Sequence, residues 1–364
     1  MTDILPLEAE IRRRIAAAGP MPVSEYMSLC LTDPEHGYYT THDPLGARGD
    51  FITAPEVSQM FGEMIGLWMA AVWKQMGAPE NLRVVELGPG RGTMLEDALR
   101  ASRVLPGFRE AAVVHLVEIS AALQRQQAER LEQLGAPVYW HSALSEVPPG
   151  PVIIVANEFF DALPVEQMEK TERGWHQRLI EIDAAGNLAF TMADDPLPQL
   201  ERLLPPSLCT ERAGAVYEWR ADTEAMEIGR RLARDGGAAL VIDYGHIESA
   251  AGDTLQAVGQ HAYADPLTAP GHLDLTAHVD FQALAKTVEA MGVTAFGPLS
   301  QSEFLRRLGI ETRADSLKAK GAAANTIDAA LARLIGDDRV SMGTLFKAAA
   351  FAHPSLGAPP GFES

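Results

Sequence analysis

The sequence predicts an α/β fold: a parallel, doubly wound sheet with helices on both faces, preceded by a helical N-terminal segment. Three observations carry this expectation. From residue 82 onward, short apolar runs alternate with amphipathic stretches in β-α-β-α order. A glycine turn, Gly88 to Gly92, joins the first of these runs to a helical stretch. The hydrophobic fraction is 47% and the charged fraction 22%, the balance of an ordinary globular chain, which excludes disorder, collagen and coiled coil as the main architecture. At 364 residues the chain has room for about two domains, or one large domain with insertions.

Residues 5–18 place Leu7, Ile11 and Ile15 four apart, on one face of a helix that Pro20 and Pro22 end. A second short helix is expected over 24–31, closed by Asp33-Pro34. Residues 41–55 are turn-rich and form a loop long enough to close over a site. Residues 56–77 are apolar on two faces, which predicts a mostly buried helix. Strands follow at 82–87, 112–117, 138–140 and 152–156, with helices at 93–102 and 121–134. Residues 175–182 and 188–192 flank a turn-forming cluster, Asp183 to Asn187, and read as a hairpin inserted after the fourth strand. Residues 193–212 are rich in proline and leucine and read as irregular. A helix at 223–234, a fully apolar fifth strand at 238–244 and helices at 281–291, 302–308 and 322–335 complete the pattern. The last strands fall at 293–296 and 344–351, the second weakened by Lys347 and its alanines. The expected division is an N-terminal segment over 1–80, a main domain over 81–353 with an insertion at about 165–235, and a flexible tail over 354–364.

Formal net charge is −19, so a polyanionic partner is repelled at long range and nucleic acid is disfavoured as a substrate. The same charge suits a cationic ligand or a basic peptide. The longest nearly unbroken apolar stretch, 64–73, is half the length a bilayer span needs, so no membrane insertion is expected. Residues 1–20 carry Asp3, Glu8 and Glu10 among their arginines and resemble neither a secretory signal nor an acid-poor transit peptide. The expected location is cytoplasmic. Two cysteines, Cys30 and Cys209, make neither a disulfide framework nor a multi-cysteine metal centre, and no metal is expected.

The strongest local signal is Val84-Val85-Glu86-Leu87-Gly88-Pro89-Gly90-Arg91-Gly92. Glycines allow positive φ and let a ligand approach the backbone closely. The helix that follows offers free N–H groups at its start. A dinucleotide fingerprint needs its third glycine at position 93, where this chain has Thr93, which disfavours a nicotinamide dehydrogenase. The spacing G-x-G-x-G, with an acid two residues before the first glycine, is similar to that of class I methyltransferases. There the turn wraps S-adenosylmethionine (SAM) and the acid helps hold its amino-acid end. On that pattern Glu86, Gly88, Gly90 and Gly92 bind the cofactor. Glu118, closing the second strand, supplies the bidentate acceptor that two ribose hydroxyls need. In an open parallel sheet ligands sit beyond the carboxyl ends of the strands, an edge shared by Gly88, Glu118, Ser142 and Asn157. Ser142 is expected to bond to the adenine, and Trp140 or a neighbour either covers it or belongs to the core.

Asn157-Glu158-Phe159-Phe160-Asp161-Ala162-Leu163-Pro164 follows the fourth strand. Many class I enzymes that methylate nitrogen have Asn or Asp, two prolines and an aromatic residue here. This chain keeps Asn157 and Phe160 at the same interval and lacks the prolines. Polar acceptors at this place orient an N–H group toward the methyl carbon, and Phe160 can pack on a cationic or planar group. The alternative is that Phe159 and Phe160 are core while Glu158 and Asp161 cap a helix.

The chain as a whole resembles the MidA/NDUFAF7 family of SAM-dependent methyltransferases. The likeness rests on Asp33 to Tyr39, Gly49 to Ser58, Phe61-Gly62-Glu63, Glu86 to Gly92, Asn157 to Pro164, Ile242 to Gly245 and Asp274 to Phe281. It implies a Rossmann-like class I methyltransferase fold and a protein methyltransferase. Mitochondrial members dimethylate an arginine of a respiratory complex I subunit during assembly. Family members often carry basic residues after the Thr-Leu that follows strand five; here Thr254-Leu255 leads to Gln256 through Gln260, with only His261 basic.

A guanidinium is a poor nucleophile while protonated, and a pair of carboxylates can localise its charge and aim one nitrogen at the methyl group. Glu158 and Asp161 are the first candidates, Glu56 and Glu63 the next, and His278 and Asp280 can accept a proton. His278 also reads as a structural histidine capping the helix at Phe281. Gly37, Tyr38 and Tyr39 either shape the substrate entrance or anchor the N-terminal helices. Two other functions fit the same residues: a small-molecule methyltransferase with a closed pocket, and a SAM-binding assembly factor with little catalytic activity.

Overall fold

The computed structural model describes residues 4–41, 53–259, 262–338 and 341–363. Seven strands form the main path of the central sheet: β1 (Leu82–Leu87), β2 (Ala112–Val117), β3 (Val138–His141), β4 (Val152–Asn157), β5 (Gly237–His246), β6 (Thr294–Ser300) and β7 (Phe346–Ala352), and a two-residue strand, Val279–Asp280, pairs beside the end of β5. Their spatial order is β6-β7-β5-β4-β1-β2-β3. The five strands from β5 to β3 are parallel; β7 runs antiparallel to β5, and β6 antiparallel to β7. Every residue of β4 is buried, as is all of β5 but its last, as continuous apolar runs require when helices cover both faces. Alternate residues divide between two cores. Val84, Ile153 and Leu240 point to one, and Val85, Ile154 and Val241 to the other.

The longer helices are α1 (Pro6–Ala18), α2 (Val23–Thr32), α3 (Gln59–Gln75), α4 (Thr93–Ala101), α5 (Ala121–Leu131), α6 (Thr223–Asp235), α7 (Phe281–Ala290), α8 (Gln301–Arg307), α9 (Ile310–Ala319) and α10 (Ala324–Ile335). The first core packs α3, α4 and the C-terminal helices on the sheet, and the second packs α6 and α7. Helices α3 and α4 cross closely because Gly62 and Gly66 face the second helix. A Cβ on Gly62 would lie 2.7 Å from both Asp97 Cβ and the Met94 carbonyl oxygen, and one on Gly66 would overlap the Ala98 carbonyl.

Two smaller sheets flank the main one. In the first, Met21–Pro22, Gly174–Ile182, Val165–Thr171 and Val216–Arg220 pair in that order, with Leu188–Met192 also on Gly174–Ile182. The hairpin expected after the fourth strand is present and belongs to this sheet. Its apolar face, with Val165 and Ile180, packs on α1 and α2. In the second, Gln256–Gly259 lies between Ala262–Ala264 and Asp274–Thr276.

Four expectations change. The buried helix over 56–77 is interrupted: a short turn, Ala54–Val57, precedes α3, and between them Ser58 is extended and its side chain accepts from the Met60 N–H. The weak last strand is fully formed; Lys347 fits because its ammonium turns back to the carbonyls of Thr344 and Leu345. Helix α9, which no signal indicated, joins α8 to α10. The stretch after Pro354 is packed and not a flexible tail. Trp68 Nε1 donates to the Pro360 carbonyl, Gln75 Nε2 to those of Leu356 and Ala358, and Phe362 enters the first core. Of the expected closing loop over 41–55, residues 42–52 lie outside the described residues.

Candidate active site

The register of the sheet brings the chemistry to one edge. Leu87 lies beside Val117 and Ala156, and Val117 beside His141. The residues after these strands therefore emerge together. Gly88, Gly90 and Gly92 all have positive φ, at 61°, 53° and 77°. Gly88 is needed twice over, because a Cβ there would lie 2.9 Å from Phe159 Cδ2. Beneath the turn Glu86 is 4% exposed, and its Oε2 has no hydrogen-bond partner. Burial, and then the neighbouring Glu118, push its carboxyl up to about 8.

Glu118 Oε1 accepts from the Ser120 N–H at 2.7 Å, and Oε2 from Gln127 Nε2 at 3.2 Å. Burial raises its pKa, while these bonds pull the other way. The carboxylate lies at the cavity wall and is acceptor-only when ionised, which suits a vicinal diol. Ser142 is exposed at the end of β3, its N–H held by Glu146 at 2.8 Å. Thr93, standing where a dinucleotide fingerprint needs glycine, donates to Glu56 Oε1 at 2.7 Å.

The turn after β4 is held from below by β5. Asp243, fully buried, accepts through Oδ2 from the N–H groups of Phe159, Phe160 and Asp161, and through Oδ1 from that of Tyr244. Arg220 adds a second brace by donating to the carbonyls of Asp161, Leu163, Ala277 and His278. Held in this way, Glu158 adopts φ 49°, a strained value for a residue with a Cβ. Its Oε1 accepts from the Ala54 N–H at 3.2 Å and from Asn157 Nδ2 at 3.1 Å. Burial, and then the charge of Asp161, push Glu158 up to about 8. Burial also raises Asp161, opposed by the Tyr244 hydroxyl and Arg220. Asn157 Oδ1 and Asp161 Oδ1 are both buried without a partner.

These groups line one cavity of about 480 Å³, within the range of small-molecule sites. Of the residues expected from the sequence, Glu86, Gly88, Gly90, Glu118, Ser142, Asn157, Glu158 and Asp161 line it, and so does Glu56. Gly92 does not: it caps α4, and a Cβ there would lie 3.6 Å from Gln127 Cγ. His278 also lies outside, its ring edge-on to Tyr244 at 5.5 Å and its pKa lowered by burial. Asp280 caps α7, and Glu63 is bound by both oxygens to Arg313. Phe160 is core, and Phe159 takes the cavity wall. Trp140 does not cover the cavity either; its indole N–H donates to Gln127 Oε1 at 2.8 Å.

Tyr39, an entrance candidate from the sequence, and several residues for which no role was legible there complete the wall. Tyr39 reaches in from the N-terminal segment and donates to Asp274 Oδ1 at 2.8 Å. Tyr244 stands at the end of β5, Thr276 in the second small sheet, and Glu224, Glu227 and Arg230 on α6. A usable signal existed for Tyr244, since β5 ends on the same edge as the other parallel strands.

The comparisons with known proteins agree with this geometry. The model of a family described as "Putative S-adenosyl-L-methionine-dependent methyltransferase" matches residues 64–299. A Drosophila melanogaster relative named protein arginine methyltransferase NDUFAF7 homolog, mitochondrial, is 37% identical, over 94% of this chain and 83% of its own. The Homo sapiens protein arginine methyltransferase NDUFAF7, mitochondrial, is 37% identical, over 85% of this chain and 75% of its own. A Burkholderia thailandensis structure bound to S-adenosyl-homocysteine superposes with a TM-score of 0.85 at 30% identity, covering 98% of this chain and 93% of that one. The relatives' names overturn the cytoplasmic expectation, since these proteins are labelled mitochondrial. Among the described residues no helix is long and apolar enough to cross a membrane. The unpartnered Glu86 oxygen, the positive-φ glycines of the turn and the Glu118 carboxylate at the cavity wall suit the cofactor's ammonium, backbone and ribose. The chain belongs to the NDUFAF7 family of S-adenosylmethionine-dependent methyltransferases.

Proposed function

We propose that this enzyme methylates an arginine side chain of a protein, and that Glu158 and Asp161 hold the guanidinium. The observation that carries the reading is the pair of unpartnered buried acceptors, Asn157 Oδ1 and Asp161 Oδ1, beside the strained Glu158. Acceptors with no donor, in a cavity with further carboxylates at Glu56 and Asp274, call for a ligand rich in N–H groups. A guanidinium offers five N–H donors in a fixed fork. The names of the relatives point the same way, toward a protein arginine, and the resemblance alone adds a subunit of respiratory complex I as the substrate.

When bound, S-adenosylmethionine supplies an electrophilic methyl group on a sulfonium. The chain's own residues then have three tasks. Glu86, the turn at Gly88 and Gly90, Glu118 and Ser142 hold and orient the cofactor. Asn157 and the two carboxylates fix the guanidinium so that one nitrogen faces the methyl carbon. The product guanidinium stays protonated, so one proton must leave the reacting nitrogen as the new N–C bond forms. Glu158 and Asp161, both raised by burial, titrate as a pair able to take it.

The test is transfer of labelled methyl groups to proteins from cells lacking this enzyme, followed by mass spectrometry of the labelled residue. Methylarginine is expected with the wild type. Asp161→Asn and Glu158→Gln should each lower kcat by roughly 100-fold or more, as loss of a positioned acid–base group does. Label on another residue type, or on a small molecule alone, would contradict the reading.

A further inference from the structure

Gln127 is fully buried on α5 and makes three side-chain hydrogen bonds. Its amide nitrogen donates to the Gly90 carbonyl at 2.7 Å and to Glu118 Oε2 at 3.2 Å. Its amide oxygen accepts from Trp140 Nε1 at 2.8 Å. Both partners of the nitrogen are acceptors only, and the indole is a donor only, so one orientation of the amide satisfies every group. The bonds join three separate elements: the glycine turn after β1, the acid after β2 and the aromatic residue of β3. Gln127 also lies on the side of the third glycine where a side chain would project: a Cβ on Gly92 would lie 3.6 Å from its Cγ.

We infer that Gln127 is a positioning residue for the cofactor, fixing the glycine turn and the Glu118 carboxylate relative to each other. The inference rests on the reading of this cavity as the cofactor site. Gln127 does not line the cavity, so it acts through its two partners. Without it the carboxylate loses its one side-chain donor, keeps only the backbone N–H groups of Ser120 and Ile119, and can tilt away from the diol. The Gly90 carbonyl loses its side-chain donor at the same time. No other side chain of this size and chemistry serves. A glutamate in its place keeps the bond to Trp140 but sets an anion against Glu118 and the carbonyl, and a leucine keeps only the packing.

The test is calorimetric titration of the full chain with S-adenosyl-homocysteine, for the wild type, Gln127→Glu and Gln127→Leu, at pH 6 and pH 8.5. The wild type binds at both values; failure to bind would sink the cofactor reading itself and is thus separate from failure of the inference. Gln127→Leu is expected to bind roughly ten- to hundred-fold more weakly, the usual loss when a buried partner is left unpaired. Measured against the wild type at the same pH, Gln127→Glu should lose as much at pH 8.5 and recover by several-fold at pH 6, because a protonated carboxyl again donates to Glu118. Affinity unchanged in both variants, or an equal loss at both pH values in Gln127→Glu, would reduce Gln127 to packing and overturn the inference. If neither variant folds by circular dichroism, Trp140→Phe decides. It leaves the Gln127 donors in place but unanchored, with a several-fold loss expected, and wild-type affinity would count against the inference.

Discussion

Glu86 shows what burial does to a single carboxylate and what a ligand would have to undo. With its carboxyl raised to about 8, it is largely neutral at pH 7 while the cavity holds no cation. Holding an ammonium requires the anion, so cofactor binding drives off a proton whenever the pH lies below that value. Affinity should therefore rise with pH from 6 to about 8, by at most tenfold per unit, and level off above. Titration across that range checks it, with Glu86→Gln expected to be weaker and flat. A flat wild-type profile would mean that Glu86 does not meet the cofactor's charge. At this scale the sequence was most legible where function follows directly from strand–turn order: Glu86, Gly88, Gly90, Glu118 and the Asn157–Asp161 turn. It was least legible where contacts span the chain. Tyr39 meets Asp274 across 235 positions, and Gln127 meets Gly90 across 37, separations that local spacing does not encode. The exchange of Phe160 for Phe159 at the cavity wall has a local cause. The interval from Asn157 singled out Phe160, but the chain turns at Glu158 through a positive φ without the prolines, and Phe159 lines the cavity.

Among the elements, the crossing of α3 and α4 sets the floor beneath the glycine turn, since α4 begins at its last glycine. The crossing depends on Gly62 and Gly66 having no side chain. Gly66→Ala should lower unfolding stability by about 1–3 kcal/mol, the usual cost of overpacking, despite the better helix propensity of alanine. Chemical denaturation checks this, and a midpoint at or above the wild type's would show that the helices separate freely. The central strands were readable because parallel strands covered on both faces leave unbroken apolar runs. Val165–Thr171 and Val216–Arg220 were not, because charged and apolar residues mix within strands of a half-covered sheet. The strands of the second small sheet have three or four residues, too few to show a period.

For the whole molecule, the cavity gathers pieces that are remote in sequence. The N-terminal segment supplies Tyr39 and Glu56, the main sheet Glu86 and Glu118, α6 Glu224 and Glu227, and the second small sheet Asp274. Acidic groups dominate the wall, with Arg91 and Arg230 as its basic members, which matches the net charge of −19 over the chain. Such a field favours approach of a basic segment and repels nucleic acid. The pieces from outside the main sheet distinguish this cavity from a bare methyltransferase sheet and form the wall around Glu158 and Asp161.

The central claim is that this cavity holds S-adenosylmethionine between the glycine turn and Glu118. Calorimetric titration of the purified chain with the cofactor, beside Glu118→Ala, tests it most directly. The account predicts one cofactor bound per chain and at least about tenfold weaker binding in the variant, the size expected when two charge-assisted hydrogen bonds to the ribose are lost. Equal affinity in the two proteins, or no binding by a folded wild type, would contradict it.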